Sequence, residues 1–262
     1  MFRRITLGLL IGLIFAGLLF SQANDTPSGR EVMENVYYRP TGDEMTADLK
    51  MVLTNSRGAT RERSIKQFSK STDDVDKKMM FFLDPADVRD SSFMNWSYHD
   101  GRSDDQWIYL PAIRKIRRIS ADSKNDSFMG SDFTYDDLGE RHPDEDKHKI
   151  IGEEEYNGEP CYIVESVPVG SGDTFSKTVS WIIKDKWIGL KREYYDENGQ
   201  VYKILQIDDY EKIDNYWVIT DMIIRDLGRN HSTRIRMENV RFNIGLRDNQ
   251  FSERQMMQGP RL

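Results

Sequence analysis

The sequence predicts a mainly β protein: one strongly curved antiparallel sheet with a small helical lid. Three observations carry this. Apolar and polar residues alternate with period two in run after run from Met45 to Phe242. Tight turn signals separate the runs, among them Asn55-Ser56-Arg57-Gly58, Asn157-Gly158 and Asp196-Glu197-Asn198-Gly199. Only three helical stretches can be read, too few for a full layer but enough for a lid. About ten strands are expected, in meander order.

The chain opens on Arg3 and Arg4, an apolar run from Leu7 to Phe20, and Ser21-Gln22-Ala23, a small-x-small cleavage pattern. Residues 1–23 therefore read as a signal peptide and residues 24–262 as one exported, periplasmic domain. The run is shorter than the roughly 20 apolar residues a spanning helix needs; an uncleaved N-terminal anchor is the alternative. No Cys follows the run, so the chain is not expected to be lipidated itself.

Next comes a helix. Pro27 can open it at a favoured first position, or Ser28 and Glu31 can form a capping box. Val32 and Val36 share a face, with Met33 and Tyr37 beside them, and the helix should stop before Pro40. In the first strand Met45, Ala47, Leu49, Met51 and Leu53 make one apolar face. Thr60 to Ser69, Lys78 to Leu83 and Phe93 to His99 follow, the third strand ending at Asp84-Pro85 and the fourth turning at Asp100-Gly101.

Asp104 to Leu138 organises the rest. Trp107 and Tyr109 alternate with Ile108 and Leu110 on a strand that Pro111 stops, since proline has no N–H for the ladder. The run IRKIRRI then reads as a strand with cations on both faces, Arg114 and Arg118 on one and Lys115 and Arg117 on the other; such a strand cannot close into a dry core. Phe128, Phe133, Tyr135 and Leu138 surround Gly130-Ser131-Asp132, where Ser131 or Asp132 can cap a short helix. A hairpin and surface helix without a ligand is the plain reading.

The second half repeats the meander, from Lys149–Glu155 through Cys161–Pro168, Ser176–Ile183, Ile188–Tyr195, Val201–Tyr210 and Tyr216–Leu227 to Thr233–Phe242. A last helix carries a Ser252/Gln255 capping box, with Phe251 stapling onto Met256.

Composition narrows function. The net charge is −7, from 37 basic and 44 acidic residues. Without Arg3 and Arg4 it is about −9, which disfavours nucleic acid and anionic lipid surfaces. Cys161 is the single cysteine, so no internal disulfide or cysteine metal cluster can form; it reads as a buried hydrophobe. His142 and His148, with Asp144, Glu145 and Asp146, lie in the charged run Gly139–His148. No strand or helix spacing fixes them as ligands, so they read as a solvated loop. There is no Gly-x-Ser-x-Gly, no phosphate-cradling loop and no His-Glu-x-x-His. His99 and His231 have no carboxylate partner at a recognisable spacing. No enzyme activity, metal or cofactor is expected.

The ordered block W-I-Y-L-P, R-K-I-R-R-I and F-M-G-S-D-F-T-Y-D-D-L resembles the outer-membrane lipoprotein-sorting family, LolA-like periplasmic carriers often paired with resistance-nodulation-division (RND) exporters. The likeness extends over the mature chain. It implies an incomplete β-barrel with helices over its open side and an apolar cavity for acyl chains, and leaves the cargo open. The expected function is a monomeric carrier of a lipid or of a lipoprotein's acyl chains. Trp107, Tyr109, Phe128 and Phe133 would line the cavity or lid. Arg114, Lys115, Arg117 and Arg118 would form a headgroup or partner surface, or pair with the chain's own acids. The twelve methionines suit an adaptable lining or simply fill a core. A ligand-free accessory subunit of an exporter or outer-membrane complex is the alternative.

Overall fold

Strands β1 (Glu44–Thr54), β2 (Thr60–Ser71), β3 (Val75–Asp84), β4 (Ser92–Tyr98), β5 (Asp105–Leu110) and β6 (Lys115–Arg118) form one meander. A second comprises β7 (Asp146–Tyr156), β8 (Glu159–Pro168), β9 (Lys177–Ile183), β10 (Gly189–Tyr195), β11 (Val201–Ile213), β12 (Tyr216–Asp226) and β13 (His231–Phe242). In this computed structural model, which describes residues 26–260, both belong to one antiparallel sheet. The signal peptide read over residues 1–23 lies outside the described residues. The order is β6-β5-β4-β3-β2-β1-β13-β12-β11-β10-β9-β8-β7, so β1 and β13 make the central seam. Each alternating run became a strand, giving thirteen rather than about ten. The barrel is not closed: β6 and β7 are open edges.

The sheet curls strongly. Ser166 on β8 is eight ladder steps from Asp76 on β3, about 38 Å along a flat sheet. Both nevertheless line one cavity.

Cross-strand register assigns the faces. Leu49, Ile65 and Phe82 are successive partners, as are Met80, Phe93 and Ile108, and all point inward. Phe68, Met79, Met94 and Trp107 are successive partners on the outer face. Helix α2 (Glu253–Gln258) and the segment before it pack there: Leu246, Phe251 and Met256 bury Phe68, Met79, Phe81 and Met94. The C-terminal helix is therefore not part of the lid. Ser252 caps it by accepting from Gln255 N at 3.4 Å, while the Gln255 side chain turns to the Gly259 carbonyl.

Two pieces cover the inner face. Helix α1 (Gly29–Tyr37) has the Ser28/Glu31 capping box. It buries Val32 against Val164 and Ile182. Gly29 sits on β7 so closely that a Cβ would lie 2.6 Å from the Lys149 nitrogen.

The other piece is the crossover from β6 to β7. The capped helix expected at Phe133 is not there; the chain makes 3₁₀ turns at Phe128–Gly130 and Asp136–Leu138. Met129 adopts φ 51°, which no helix permits. Asp132 is drawn away by β13: it accepts from Thr233 Oγ1 and His231 Nδ1, both at 2.7 Å, and from Arg229 at 3.0 Å. Phe128 N donates to the Phe133 carbonyl at 2.7 Å, closing a small hairpin. Phe128 packs at ring distances of 5.2 Å from Phe93 and 5.8 Å from Phe82. Asp137 pairs with Lys203 of β11 at 3.0 Å. Arg141 joins Asp146 of β7 and Asp173 of the loop after β8, each at 2.7 Å, so the C-terminal part of the crossover is tied down by charge.

Two boundaries also moved. The basic strand is only Lys115–Arg118, because Leu110 to Arg114 is a turn in which Arg114 has φ 50°. The charged loop ends early, in a 3₁₀ turn at Pro143–Glu145, and Asp146 to His148 belong to β7.

Candidate functional site: an inner chamber with an apolar and a polar wall

Along β2 to β5 the inner face changes character within one row of the ladder. Met80, Phe93 and Ile108 are successive partners and apolar. The next row, Ser69, Lys78, Asn95 and Gln106, is polar throughout. Across the curl, β12, β13 and the start of β1 present Trp217, Ile219, Met222, Met237, Phe242 and Met45. Between these walls lies a chamber of about 270 Å³. A second, of about 290 Å³, lies beneath α1 and is lined by Val36, Tyr37, His148, Ser166, Thr178 and Arg192 among others. Arg39, Thr41, Asp76 and Glu140 line both. Each volume approaches the range of small-ligand sites, about 300–1,000 Å³. Gly42 at the rim has φ 83°, and a Cβ there would meet the Phe242 ring at 2.6 Å, so only glycine allows that ring to close the wall.

The polar wall is charged. Asp104 accepts from Ser97 Oγ at 2.7 Å, Glu140 N at 3.1 Å and Asn95 Nδ2 at 3.2 Å. His99 faces two acceptors, Asp76 through Nε2 at 2.8 Å and the Asp73 carbonyl through Nδ1 at 3.0 Å. Burial alone would lower its pKa, but these two partners more than offset that and raise it. Glu140 is reachable from the chambers yet hemmed in by protein. Burial, with Asp76 and Asp104, pushes its carboxyl above the ordinary range against the opposing pull of Lys78 and His99. Asn95 Oδ1, Gln106 Oε1 and Arg39 Nε are buried without a hydrogen-bond partner among the described residues. Arg39 Nη1 donates to the Trp217 carbonyl at 2.7 Å, and burial lowers its pKa.

The residues singled out by sequence fall elsewhere. Phe128 and Phe133 meet in the inner core under the crossover. Trp107 and Tyr109 pack on the outer cluster with Phe251 and Met256. The two pairs lie on opposite faces, and none of the four is in the lining of either chamber. Arg118 pairs with Asp105. Arg114, Lys115 and Arg117 are exposed at the β6 edge and have no ion pair among the described residues.

Both histidines read as unpartnered do have carboxylates, His99 with Asp76 and His231 with Asp132. His148 bonds Ser166 Oγ at 2.8 Å and the Pro143 carbonyl at 2.9 Å. Cys161 is buried, which pushes its thiol up to about 11. Sequence reasoning missed Arg39, Asp76, Asn95 and Glu140; the available signal was Asn95 and Gln106, amides inside aromatic strand runs.

An open, curled antiparallel sheet with a lidded inner chamber is the LolA-type fold. The LolA superfamily protein NE2245 from Nitrosomonas europaea shares it, with a TM-score of 0.67 at 15% identity over 88% of this chain and all of the other. The chain is also similar to a domain from Vibrio parahaemolyticus named for outer membrane lipoprotein sorting, with 30% identity, TM-score 0.82, and coverage of 87% of this chain and 98% of that one. It is equally similar to a DUF1329 family protein from Desulfovibrio piger, with 32% identity, TM-score 0.82, and coverage of 87% and 97%. A family model described as "uncharacterized protein" matches residues 74–258. This chain belongs to the DUF1329 family and has the LolA-type fold. No curated protein matches it.

Proposed function

We propose that this protein is a periplasmic carrier that shelters the acyl chains of a lipid or lipoprotein in the inner chamber and passes them toward the outer membrane. The observation that carries this is the apolar wall of Met45, Trp217, Ile219, Met222, Met237 and Phe242, facing an accessible chamber rather than a filled core. Each methylene transferred to such a surface is worth about 0.8 kcal/mol. Three methionines in the wall let it repack around varied chains. Transfer needs no nucleotide: the acceptor need only bind the cargo more tightly than the carrier does. No catalytic step is assigned.

In this reading residues 1–23 are removed on export and the mature protein works as a monomer. Phe128 and Phe133 hold the lid, Trp107 and Tyr109 hold the outer support, and Arg114, Lys115 and Arg117 offer an open edge to an RND-type exporter or an acidic partner.

Native mass spectrometry of protein isolated from the periplasm, followed by lipid extraction, tests the carrier reading. It expects an acyl-chain adduct that is lost in a folded Trp217→Asp/Met222→Asp variant. Protein that is always empty, takes up no lipid in vitro and still restores function in a deletion strain would instead establish a ligand-free accessory subunit.

A further inference from the structure

We propose that the polar wall of the inner chamber is a seat for a protonated amine, so that the cargo is an amphiphile with an amine-bearing head. This rests on the carrier reading and adds the head group to it. The central residue is Asn95, which lines the chamber and is 1% exposed. Its amide nitrogen is spent on Ser97 Oγ at 2.8 Å and Asp104 Oδ2 at 3.2 Å, which fixes the amide orientation. Its Oδ1 has no donor. Gln106, its partner across the ladder and also 1% exposed, repeats the pattern: Nε2 donates to the Tyr135 carbonyl at 2.8 Å and Oε1 has no donor. Gln106 borders a neighbouring pocket with Asp104 and Glu140, so Asn95 Oδ1 is the orphan acceptor on this chamber; a buried acceptor without a donor destabilises a fold and points to a donor supplied from outside.

Glu140 supplies charge. Its backbone N–H donates to Asp104, but its carboxylate makes no hydrogen bond or ion pair with any described residue. Around the Glu140 carboxylate stand two others, Asp76 and Asp104, and two cations, Lys78 and His99. Lys70 and Lys77 also border the chamber but are held by Glu44 and Asp248. An ammonium brings three donors and no acceptor, the complement of Asn95 Oδ1 and the Glu140 carboxylate. A phosphate or carboxylate would add acceptors to a wall that already lacks donors. A hydroxyl would bring one donor and no charge to the Glu140 carboxylate. Arg39, on the same chamber, has no carboxylate partner among the described residues and is available to a phosphate that accompanies the amine.

The test is lipid transfer from vesicles of three compositions at pH 7: phosphatidylethanolamine, its N-acetylated form, and phosphatidylglycerol. The wild-type protein should take up the free amine lipid about tenfold better than either of the others, the worth of one charge-assisted hydrogen bond. Glu140→Gln should erase that preference, lowering uptake of the free amine lipid to the level of the other two. Asn95→Leu, if it folds, should do the same; if it does not, Glu140→Gln decides alone. Equal uptake of all three lipids, or a preference that survives Glu140→Gln, overturns the amine seat and leaves the carrier reading standing. Failure to take up any of them overturns both.

Discussion

The Asp132 carboxylate and the His231 imidazole meet at 2.7 Å although 99 positions separate them in the chain. Asp132 is fully buried, and Thr233 and Arg229 converge on the same two oxygens. Replacing it with alanine would strand these donors. Asp132→Ala should therefore lower stability by at least about 2 kcal/mol. A shift of the urea midpoint without a change in slope is the expected record.

Glu140 should behave in the opposite way. Its carboxyl is raised in the fold, so ionisation opposes folding as pH rises through the ordinary Glu value and the folded one. Glu140→Gln should raise the melting temperature of ligand-free protein at pH 7. The gain should vanish below about pH 4, where the wild-type carboxyl is protonated in both states. Thermal melts across that range check it.

The histidine beside it gives a second pH test of the same sense in a higher pH window. The His99 pKa is raised, so the stability of its pairing with Asp76 is present below the ordinary histidine value and is lost as pH rises through the folded one. Asp76→Asn should flatten that loss. Melting curves of the two proteins, taken from acid through neutral pH, should converge at the alkaline end.

The aromatic residues should separate by face. Phe128 is fully buried between Phe82 and Phe93, so Phe128→Ala should cost about 3–5 kcal/mol. Trp107 is only half-buried on the outer face and stacks edgewise on Trp96, so Trp107→Ala should cost less. Denaturant titrations of the two variants compare them directly.

Helix α1 covers the second chamber through a narrow contact. A side chain at Gly29 would collide with the Lys149 backbone, so Gly29→Val should lift the helix while the sheet persists. Faster amide exchange confined to residues 29–37 would register this.

Arg114→Glu with Arg117→Glu should weaken partner or headgroup binding and leave the melting temperature nearly unchanged, since neither side chain makes an ion pair among the described residues. Binding to anionic-headgroup vesicles, and to the periplasmic portion of the RND-type exporter proposed as partner, reads the first effect and calorimetry the second.

Strand β1 was legible because its inner face is drier than its outer one, which writes period two into Met45 to Leu53, whereas β3 and β4 are buried on both faces and were legible as apolar runs between turns. Helix α1 was legible from Ser28 and Glu31, whose capping partners lie three residues apart. The crossover was not, because the carboxylate expected to cap a helix at Asp132 is used by residues far along the chain. The basic strand was overextended because period cannot show that Leu110 to Arg114 turns. A cavity was expected from the resemblance, but its lining escaped because the walls come from β1 to β4 and from β12 and β13, joined only by the curl. Its polar row was hidden inside an aromatic block, where Asn95 and Gln106 look like ordinary strand residues.

The pairing of Met45 with Phe242 sets the order of assembly. Hairpins such as β2–β3 and β8–β9 are local and can form while the chain is still growing, whereas the β1–β13 ladder must wait for the last strand. Until it arrives, each half-sheet presents a long unpaired rim, the kind of surface on which neighbouring molecules aggregate. A chain cut before His231 should keep its hairpins and precipitate. The chamber draws walls from both halves, so it does not exist before the same late event. The chamber and protection from aggregation are thus acquired in one step, when the two halves meet.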